Sequence, residues 1–426
     1  MAQTDTFQTN KLSDYVAVRT LINIPFLTVG SRGYFKDQLI GKRNGQEYGF
    51  VIKDAGQVEG GTPGALAHSA ASDIHEAVVK MSLIPWHIMI NTNAIEAVTD
   101  TKWDEAIAKP NANKLTAYLN KDAVSKALSH AATAVVGEGF EPLAVAGSQL
   151  ESISPEKIYG FIDPKFQAIL TTNGQQFQPV GSPDSFYSKG LLGTFHSVEY
   201  RSQRYFPVLT VDSALATWLA GASVDGNSTT PGWNPVNQTL KLKSSDTSFT
   251  GKLPKGLPIT IEGLFACDTV GMPTDANYTF VVAEETAAAV SGVVTIKYEI
   301  KVENFQDVST DPDAARLKAS GTAVYARQDG TIPYASDLNG NKVAAIPAGK
   351  YVCGQLRLDG AYEFETLDKL DASNAETKVS SLEGVTIHEN RAINIDAMTN
   401  KTRWDIVAMY GVTDPRCVVN VYSKVK

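Results

Sequence analysis

Thr295-Ile296-Lys297-Tyr298-Glu299-Ile300-Lys301-Val302-Glu303 alternates polar with apolar residues without a slip. Successive side chains of a β-strand point to opposite faces, so this run predicts one strand. Ile296, Tyr298, Ile300 and Val302 would sit on its packed face and the charges on its wet face. Around it, from about Gly226 to Gly349, the pattern is β-only. Thr239 to Lys243, Leu257 to Phe265, Tyr278 to Ala283, Val293 to Glu303, Ala323 to Arg327 and Tyr351 to Leu358 read as short strands between Gly, Pro, Asn and Asp turns. Such spacing predicts a small barrel or sandwich. The flanks read differently, with helices and mixed strands, so the expectation is an α+β body interrupted by a β-domain.

The chain has 426 residues, 43% hydrophobic and 20% charged, enough for two or three domains with real cores. Its net charge of −8 gives no bulk electrostatic reason to coat nucleic acid or an anionic membrane. Cys267, Cys353 and Cys417 are far apart and show no C-x-x-C spacing, which fits buried thiols rather than a disulfide framework. Met1 to Asn10 lacks a basic region followed by an apolar run, so no signal peptide is expected, and no apolar stretch reaches membrane-span length.

Upstream, Leu21 to Leu27 is an apolar patch in an N-terminal arm, and Pro25 argues against a continuous helix there. Tyr48 to Ile52 reads as a strand, with Ala77 to Ile84 as its partner and Pro85 closing it. Between them lies the turn cluster Glu59 to Gly64, the tip of a long hairpin-like excursion. Ala94 to Ala108 is helix-compatible, and Leu115, Leu119, Val124, Leu128, Ala131 and Val135 predict a long helix from Asn111 to Val136. Gly137 and Gly139 would end it. Lys157 to Ile162 reads as a strand, and Asp163-Pro164 as the cap and first turn of a short helix. Gly193 to Tyr200 reads as one strand and Ser213 to Ala220 as a short helix. Gly226 to Pro235 is the most linker-like run. Gly384 to His388, Trp404 to Val412 and Cys417 to Tyr422 close the chain as strands.

Catalytic signatures do not emerge. His75-Glu76 opens like a zinc-protease motif, but Val79 stands where the second histidine belongs. Asp311-Pro312-Asp313 lacks the glycine and closing glutamate of a calcium loop. Gly137-Glu138-Gly139 lacks the third glycine of a dinucleotide site, and neither a phosphate loop nor a nucleophile elbow occurs. No catalytic, cofactor or metal residue is assigned, and no enzyme activity is expected. The basic and aromatic run Tyr34, Phe35 and Lys36 beside Arg32, with Lys42 and Arg43, is a candidate contact surface on the excursion.

This order of elements resembles the major capsid (coat) protein of a tailed bacteriophage, in the subgroup with an inserted β-barrel domain. Ser31 to about Ile84 resembles the extended loop, Asn111 to Val136 the spine helix, and Lys157 to Pro164 the axial-domain strand that enters a helix. Leu382 to Val385 and Trp404 to Val412 resemble the return, while the charged stretch Asp359 to Lys378 departs from the pattern. The resemblance implies an α+β capsid fold divided into an arm (1–30), an extended loop (31–84) and a peripheral domain with the spine helix (85–150). It then implies an axial domain (151–225), the barrel (226–355) and a return segment (356–426).

The resemblance further implies hexamers and pentamers closing into an icosahedral shell around double-stranded DNA bound without sequence specificity. Scaffolding protein, a portal and decoration proteins are the implied partners, and host cytoplasm and virion the implied locations. Tyr34, Phe35, Lys36, Lys42 and Arg43 would be intersubunit contacts. A competing reading is a β-rich surface protein that recognises a glycan or receptor. It expects exposed aromatics on the β-segment, such as Trp233, Tyr278 and Tyr298.

Overall fold

The computed structural model describes residues 24–31, 47–53, 76–93, 109–166, 168, 191–195, 197–227, 230–235, 237–299, 302–303, 305–307, 317–319, 324–331, 333–367, 376–382, 385–394 and 399–425. The chain begins with helix α1 (Pro25–Thr28), strands β1 (Glu47–Lys53), β2 (Glu76–Ser82) and β3 (Ile84–Asn93), and helix α2 (Lys109–Ser129). Then come β4 (Thr133–Glu138), α3 (Glu141–Ile153), β5 (Ile158–Ile162), β6 (Leu191–Phe195), β7 (Val198–Ser202), β8 (Val208–Val211) and α4 (Ser213–Ala220). The β-rich stretch holds β9 (Ala222–Val224), β10 (Trp233–Asn234), β11 (Thr239–Ser244), β12 (Pro258–Cys267), β13 (Pro273–Val281) and β14 (Val293–Lys297). It continues with β15 (Val302–Glu303), β16 (Phe305–Asp307), β17 (Leu317–Ala319) and β18 (Tyr325–Ala326). The chain ends with β19 (Gly349–Leu358), β20 (Tyr362–Thr366), β21 (Glu376–Leu382), β22 (Val385–Asn394), β23 (Thr399–Val412) and β24 (Val418–Val425). The fold is a sheet-rich α+β arrangement.

Two large sheets form the body. The first runs β4-β24-β19-β5-β7-β6, with β8 also paired to β19. Its face bearing Gln355, Arg357, Phe161 and Asn420 receives α1 and α2, because cross-strand partners share a face. Its other face receives α3, whose Gly147 lies against Val198 and so lets the helix approach closely. The second sheet runs β20-β23-β22-β21, with β3 along the far side of β23. Between the sheets in sequence, β9, β10, β11 and β14 form one small sheet and β12, β13 and β18 another. An isolated bridge Val282–Tyr298 joins the residues just past β13 and β14, and Ile261 within β12 bridges to Val343.

The long helix ends earlier than its apolar spacing predicts. It stops at Ser129, and Thr133–Glu138 is instead a strand parallel to β24. The cause is tertiary. Gln355 Nε2 donates to the carbonyl of Ala127 (2.9 Å) and Asn420 Nδ2 to that of Leu128 (2.7 Å), while Ser129 Oγ donates to that of Lys126 (2.9 Å). The last carbonyls of a helix need such partners, and here the sheet supplies them. Ala131 and Ala132 still reach the core, but from the loop between helix and strand. Gly139 (φ +63°) turns β4 into α3 rather than ending the long helix.

Other expectations change as well. The run Thr295 to Glu303 is not one strand: β14 ends at Lys297 on β11, whereas Val302 and Glu303 pair with Val79 and Val78 of β2. Pro85 does not close β2; it lies in β3 opposite Val407, on an outer strand where a missing N–H costs no ladder bond. Gly193 to Tyr200 is two antiparallel strands turning at Ser197 (φ +61°). Gly226 to Pro235 is no free linker, since Trp233 is 1% exposed and Gly232 packs on the carbonyl of Asp225. Tyr351 to Leu358 belongs to the first large sheet, not to the β-only run. The stretch after Asp359 contributes β20 and β21 to the second sheet. Ala94 to Ala108 lies outside the described residues.

Several readings hold. Strands β1 and β2 pair over seven residues, Glu47–Ser82 to Lys53–Glu76. Asp163 accepts the Lys165 N–H (2.8 Å), as a helix cap does. Helix α4 starts at Ser213, capped by Asp212 on the Leu215 N–H. All three cysteines are buried and free.

Gly160 of β5 is tightly constrained. A Cβ there would lie 2.6 Å from the ring of Tyr200, itself 1% exposed. Gly160→Ala should therefore lower stability by about 1–3 kcal/mol through overpacking, read as a lower denaturation midpoint. An unchanged midpoint would contradict this packing.

Candidate functional site

The arm is fastened to the body by one buried cation. Pro25 opens α1, a position where its missing N–H is harmless, and Phe26 and Leu27 are fully buried. Arg357, 0% exposed on β19, donates through one terminal nitrogen to the carbonyls of Phe26 and Val29, both at 2.7 Å. Its guanidinium carbon lies 4.9 Å from the ring centroid of Phe26 and 4.3 Å from those of Phe161 and Tyr362. Burial pulls its pKa down to about 9, which leaves it protonated at neutral pH. Aromatic faces and carbonyl oxygens thus replace water around the charge. Next to it, Gly360 N–H donates to the carbonyl of Gly30 (2.8 Å) and Phe364 N–H to Ser31 Oγ (3.2 Å).

The hairpin of β1 and β2 follows this anchor in sequence. Ser31 is tied to Phe364, and Glu47 already pairs with Ser82. Tyr34, Phe35, Lys36, Lys42 and Arg43 lie between these points and outside the described residues, as do the turn cluster Glu59 to Gly64, His75 and Asp311 to Asp313. From β2 the chain passes through Leu83 alone into β3, which pairs with β23 from Ile84–Ala408 to Asn93–Thr399. The hairpin is therefore a direct extension of the second sheet. Met81 seats its stem against Gly411.

A polar relay joins that sheet to the long helix. Trp86 Nε1 donates to Tyr410 Oη (3.0 Å), which donates to Asp122 (2.6 Å) on α2. Lys126 pairs with the same carboxylate at 3.1 Å and lies 4.8 Å from the Tyr410 ring centroid. Burial, then the Asp122 acceptor, holds the Tyr410 phenol far above its ordinary pKa, so it stays a donor. β3, β23 and α2 are thus fixed to one another close to the β2–β3 junction.

The aromatics of the β-rich stretch face inward. Trp233, Tyr278 and Tyr298 are 1%, 0% and 5% exposed. Trp233 Nε1 donates to Tyr298 Oη (2.7 Å), and Phe280 meets Tyr278 and Tyr298 edge-on, with centroids 5.1 and 4.7 Å apart. They form a core, which contradicts the exposed cluster that a glycan- or receptor-binding reading expects. Among the described residues no group of three or more His, Cys, Asp or Glu is placed to hold a metal, and no helix is long and apolar enough to cross a membrane.

Sequence reasoning singled out the basic run near Lys36 and missed Arg357. The available signal was a lone arginine in the otherwise apolar strand end Leu356-Arg357-Leu358, three residues before a glycine.

Two outcomes test this arrangement. Arg357→Ala should cost roughly 2–4 kcal/mol, because it removes desolvated cation–π and charged hydrogen-bond contacts. Limited proteolysis of that variant should cut near residues 24–31 before the rest of the chain; arm and sheet cut at the same rate would contradict the clamp. Burial also holds the phenols of Tyr278, Tyr298 and Tyr422 above the ordinary value of 10.0. The unfolded chain loses those protons first, so this stability is intact below pH 10.0 and declines as pH rises beyond it. Tyrosinate absorbance of these groups should appear together with loss of circular dichroism; full ionisation of a still-folded chain would contradict their burial.

No protein-family model matches the chain, and no curated protein sequence does. Solved structures similar to it come from phage particles. A chain of Mycobacterium phage Che8 aligns at TM-score 0.41 and 10% identity, over 93% of this chain and 89% of that one. The capsid structure of the Cyanophage P-SCSP1u aligns at 0.39 and 11% identity, over 90% and 85%. The head structure of Helicobacter pylori bacteriophage KHP40 aligns at 0.38 and 8% identity, over 89% and 84%. At these scores the likeness is remote, and the functional reading rests on the features of this chain.

Proposed function

We propose that this chain is a major capsid protein, a shell subunit of a tailed phage that assembles with copies of itself around packaged DNA. The observation that carries the reading is topological. β8 pairs with β19 directly, Val211 opposite Gly349, so residues 212–348 leave and re-enter the first sheet at neighbouring strands. Adjacent ends, an aromatic cluster and small sheets within the segment support reading it as an inserted domain, with a core continuous with that of the body. This supports an inserted barrel spanning 212–348 rather than 226–355. In this proposal α1 serves as the arm, β1–β2 as the extended loop, α2 as the spine helix, the second sheet as the peripheral part and the first sheet as the axial part.

The physics of a shell suits these parts. A subunit that closes a symmetric particle needs a rigid body and projecting segments that reach its neighbours. Here the body fixes both roots of the excursion, at Ser31 and at β2–β3, by buried contacts. Many modest contacts then add through multivalency. Hexamers and pentamers, a scaffolding protein, a portal, decoration proteins, and the passage from host cytoplasm to virion belong to the same proposal.

Electron microscopy of the purified protein, alone and co-expressed with its neighbouring gene products, tests the reading. Closed shells are expected; a discrete small oligomer under every condition would overturn it. Reversing the charge at Lys36 together with Arg43 should reduce particle yield while circular dichroism of the subunit is unchanged. Normal particles from that variant would remove the contact role of the excursion.

A further inference from the structure

The loop between β7 and β8 is anchored at two points and strained between them. Gln203, 2% exposed, donates from Nε2 to Asn120 Oδ1 on α2 (2.7 Å), and its amide donates to the carbonyl of Ile162 (2.9 Å). Phe206, also buried, meets Phe26 of α1 edge-on, with ring centroids 6.0 Å apart. Between these anchors Arg204 and Tyr205 are exposed, and Tyr205 takes φ +76°. A bulky residue rarely adopts that backbone, so the two anchors impose it and hold the ring at the surface.

The amide pair joins this loop to α2 in one basic surface. On α2, Lys114, Tyr118 and Lys121 recur at i, i+4 and i+7 and are exposed, Tyr118 by 57%. Lys121 follows Asn120, Arg204 follows Gln203, and exposed Lys165 lies three residues beyond Ile162. Residues 109–129, 162–168 and 203–208 hold six cations against two carboxylates, Asp122 and Asp163, in a chain of net charge −8. Asp122 is occupied by Lys126 and Tyr410, and Asp163 by the Lys165 N–H. Lys114, Lys121, Lys165 and Arg204 form no ion pair among the described residues, whereas Lys126, Lys157 and Arg201 each have one. Seven residues of helix rise about 10 Å, a length over which duplex DNA carries about six phosphate charges. Cations strung along a helix ridge, with tyrosine hydroxyls as further donors, suit such a line of phosphates and read no base.

We infer that this surface binds the phosphate backbone of double-stranded DNA, so that the side of the subunit bearing Lys114, Lys121, Arg204 and Tyr205 faces the interior of the particle, an inference that rests on the shell reading above and gives the subunit an inside and an outside.

Two measurements test it. In the first, dilute full-length chain is titrated into a short fluorescent DNA duplex across a salt series. Lys121→Glu with Arg204→Glu should weaken binding roughly tenfold at low salt and flatten the slope of log affinity against log salt by about two. Lys243→Glu with Lys342→Glu, two exposed cations of the β-rich stretch, should do neither. Lys114→Glu replaces Lys121→Glu if circular dichroism shows the first pair unfolded. Unchanged binding in the first pair or equal loss in the second would overturn the inference. Equal competition by poly-glutamate would overturn it too, by marking an acidic protein as the partner. In the second measurement, Tyr205→Cys chain is exposed to a small maleimide and to a polymer-linked maleimide too large to enter a particle; the native thiols are buried. In closed shells the small reagent should react and the polymer should not, while dissociated subunits react with both. Polymer labelling of closed shells would place the surface outside, and protection from both reagents would place it between subunits. Either result overturns the inference while the shell reading stands. If no shells form, the interior placement falls with the shell reading, and the duplex titration still decides whether the surface binds DNA.

Discussion

Arg357 is a charge without access to water at the point where arm, first sheet and second sheet meet. Leaving such a charge uncompensated would cost several kcal/mol, so its surroundings are tightly specified. Three aromatic rings supply their faces and two arm carbonyls supply acceptors. Those carbonyls are presented only if residues 26–29 turn as α1, and the rings of Phe161 and Tyr362 face inward only if β5 and β20 flank β19 as they do. One interaction therefore ties the N-terminal segment to strands more than three hundred residues away in sequence.

Side-chain amides play a similar part at the other end of α2. Gln355 and Asn420, 0% exposed, sit beside each other on β19 and β24, 3.0 Å apart through Nε2 and Oδ1. Their other bonds go to the helix carbonyls of Ala127 and Leu128. With the Trp86–Tyr410–Asp122 relay on the second sheet, the long helix is held to both sheets by polar contacts as well as by its leucines. Gln355 Oε1 meets no donor among the described residues, so the hold on the helix comes from the two amide N–H groups.

Local signals carried much of the fold. Alternation around Val79 and Met81, the Asp163-Pro164 cap and the Leu215–Leu219 spacing were readable because each depends on neighbours in sequence. What sequence could not show came from partners far along the chain. The helix end is imposed by Gln355 and Asn420, and alanines such as Ala131 suit either state. The long alternation of residues 295–303 is compatible with one strand, yet two different sheets compete for its halves. Likewise Gly226 to Pro235 has linker composition, but Trp233 has a buried tyrosine to donate to. For the candidate site, charge made the run Tyr34 to Arg43 legible, while the partners of Arg357 lie more than three hundred residues away in sequence, where no local pattern brings them together.

Hydrogen exchange on the unmodified protein tests the clamp most directly. The Leu27 amide donates to the carbonyl of Ile24 and the Gly360 amide to that of Gly30, so both bonds should be lost only when the Arg357 cluster opens. They are predicted to exchange as slowly as the amides of Gln355 and Leu356 in β19. Exchange of Leu27 and Gly360 within seconds, beside a protected β19, would contradict the claim that this buried cation binds the arm to the body.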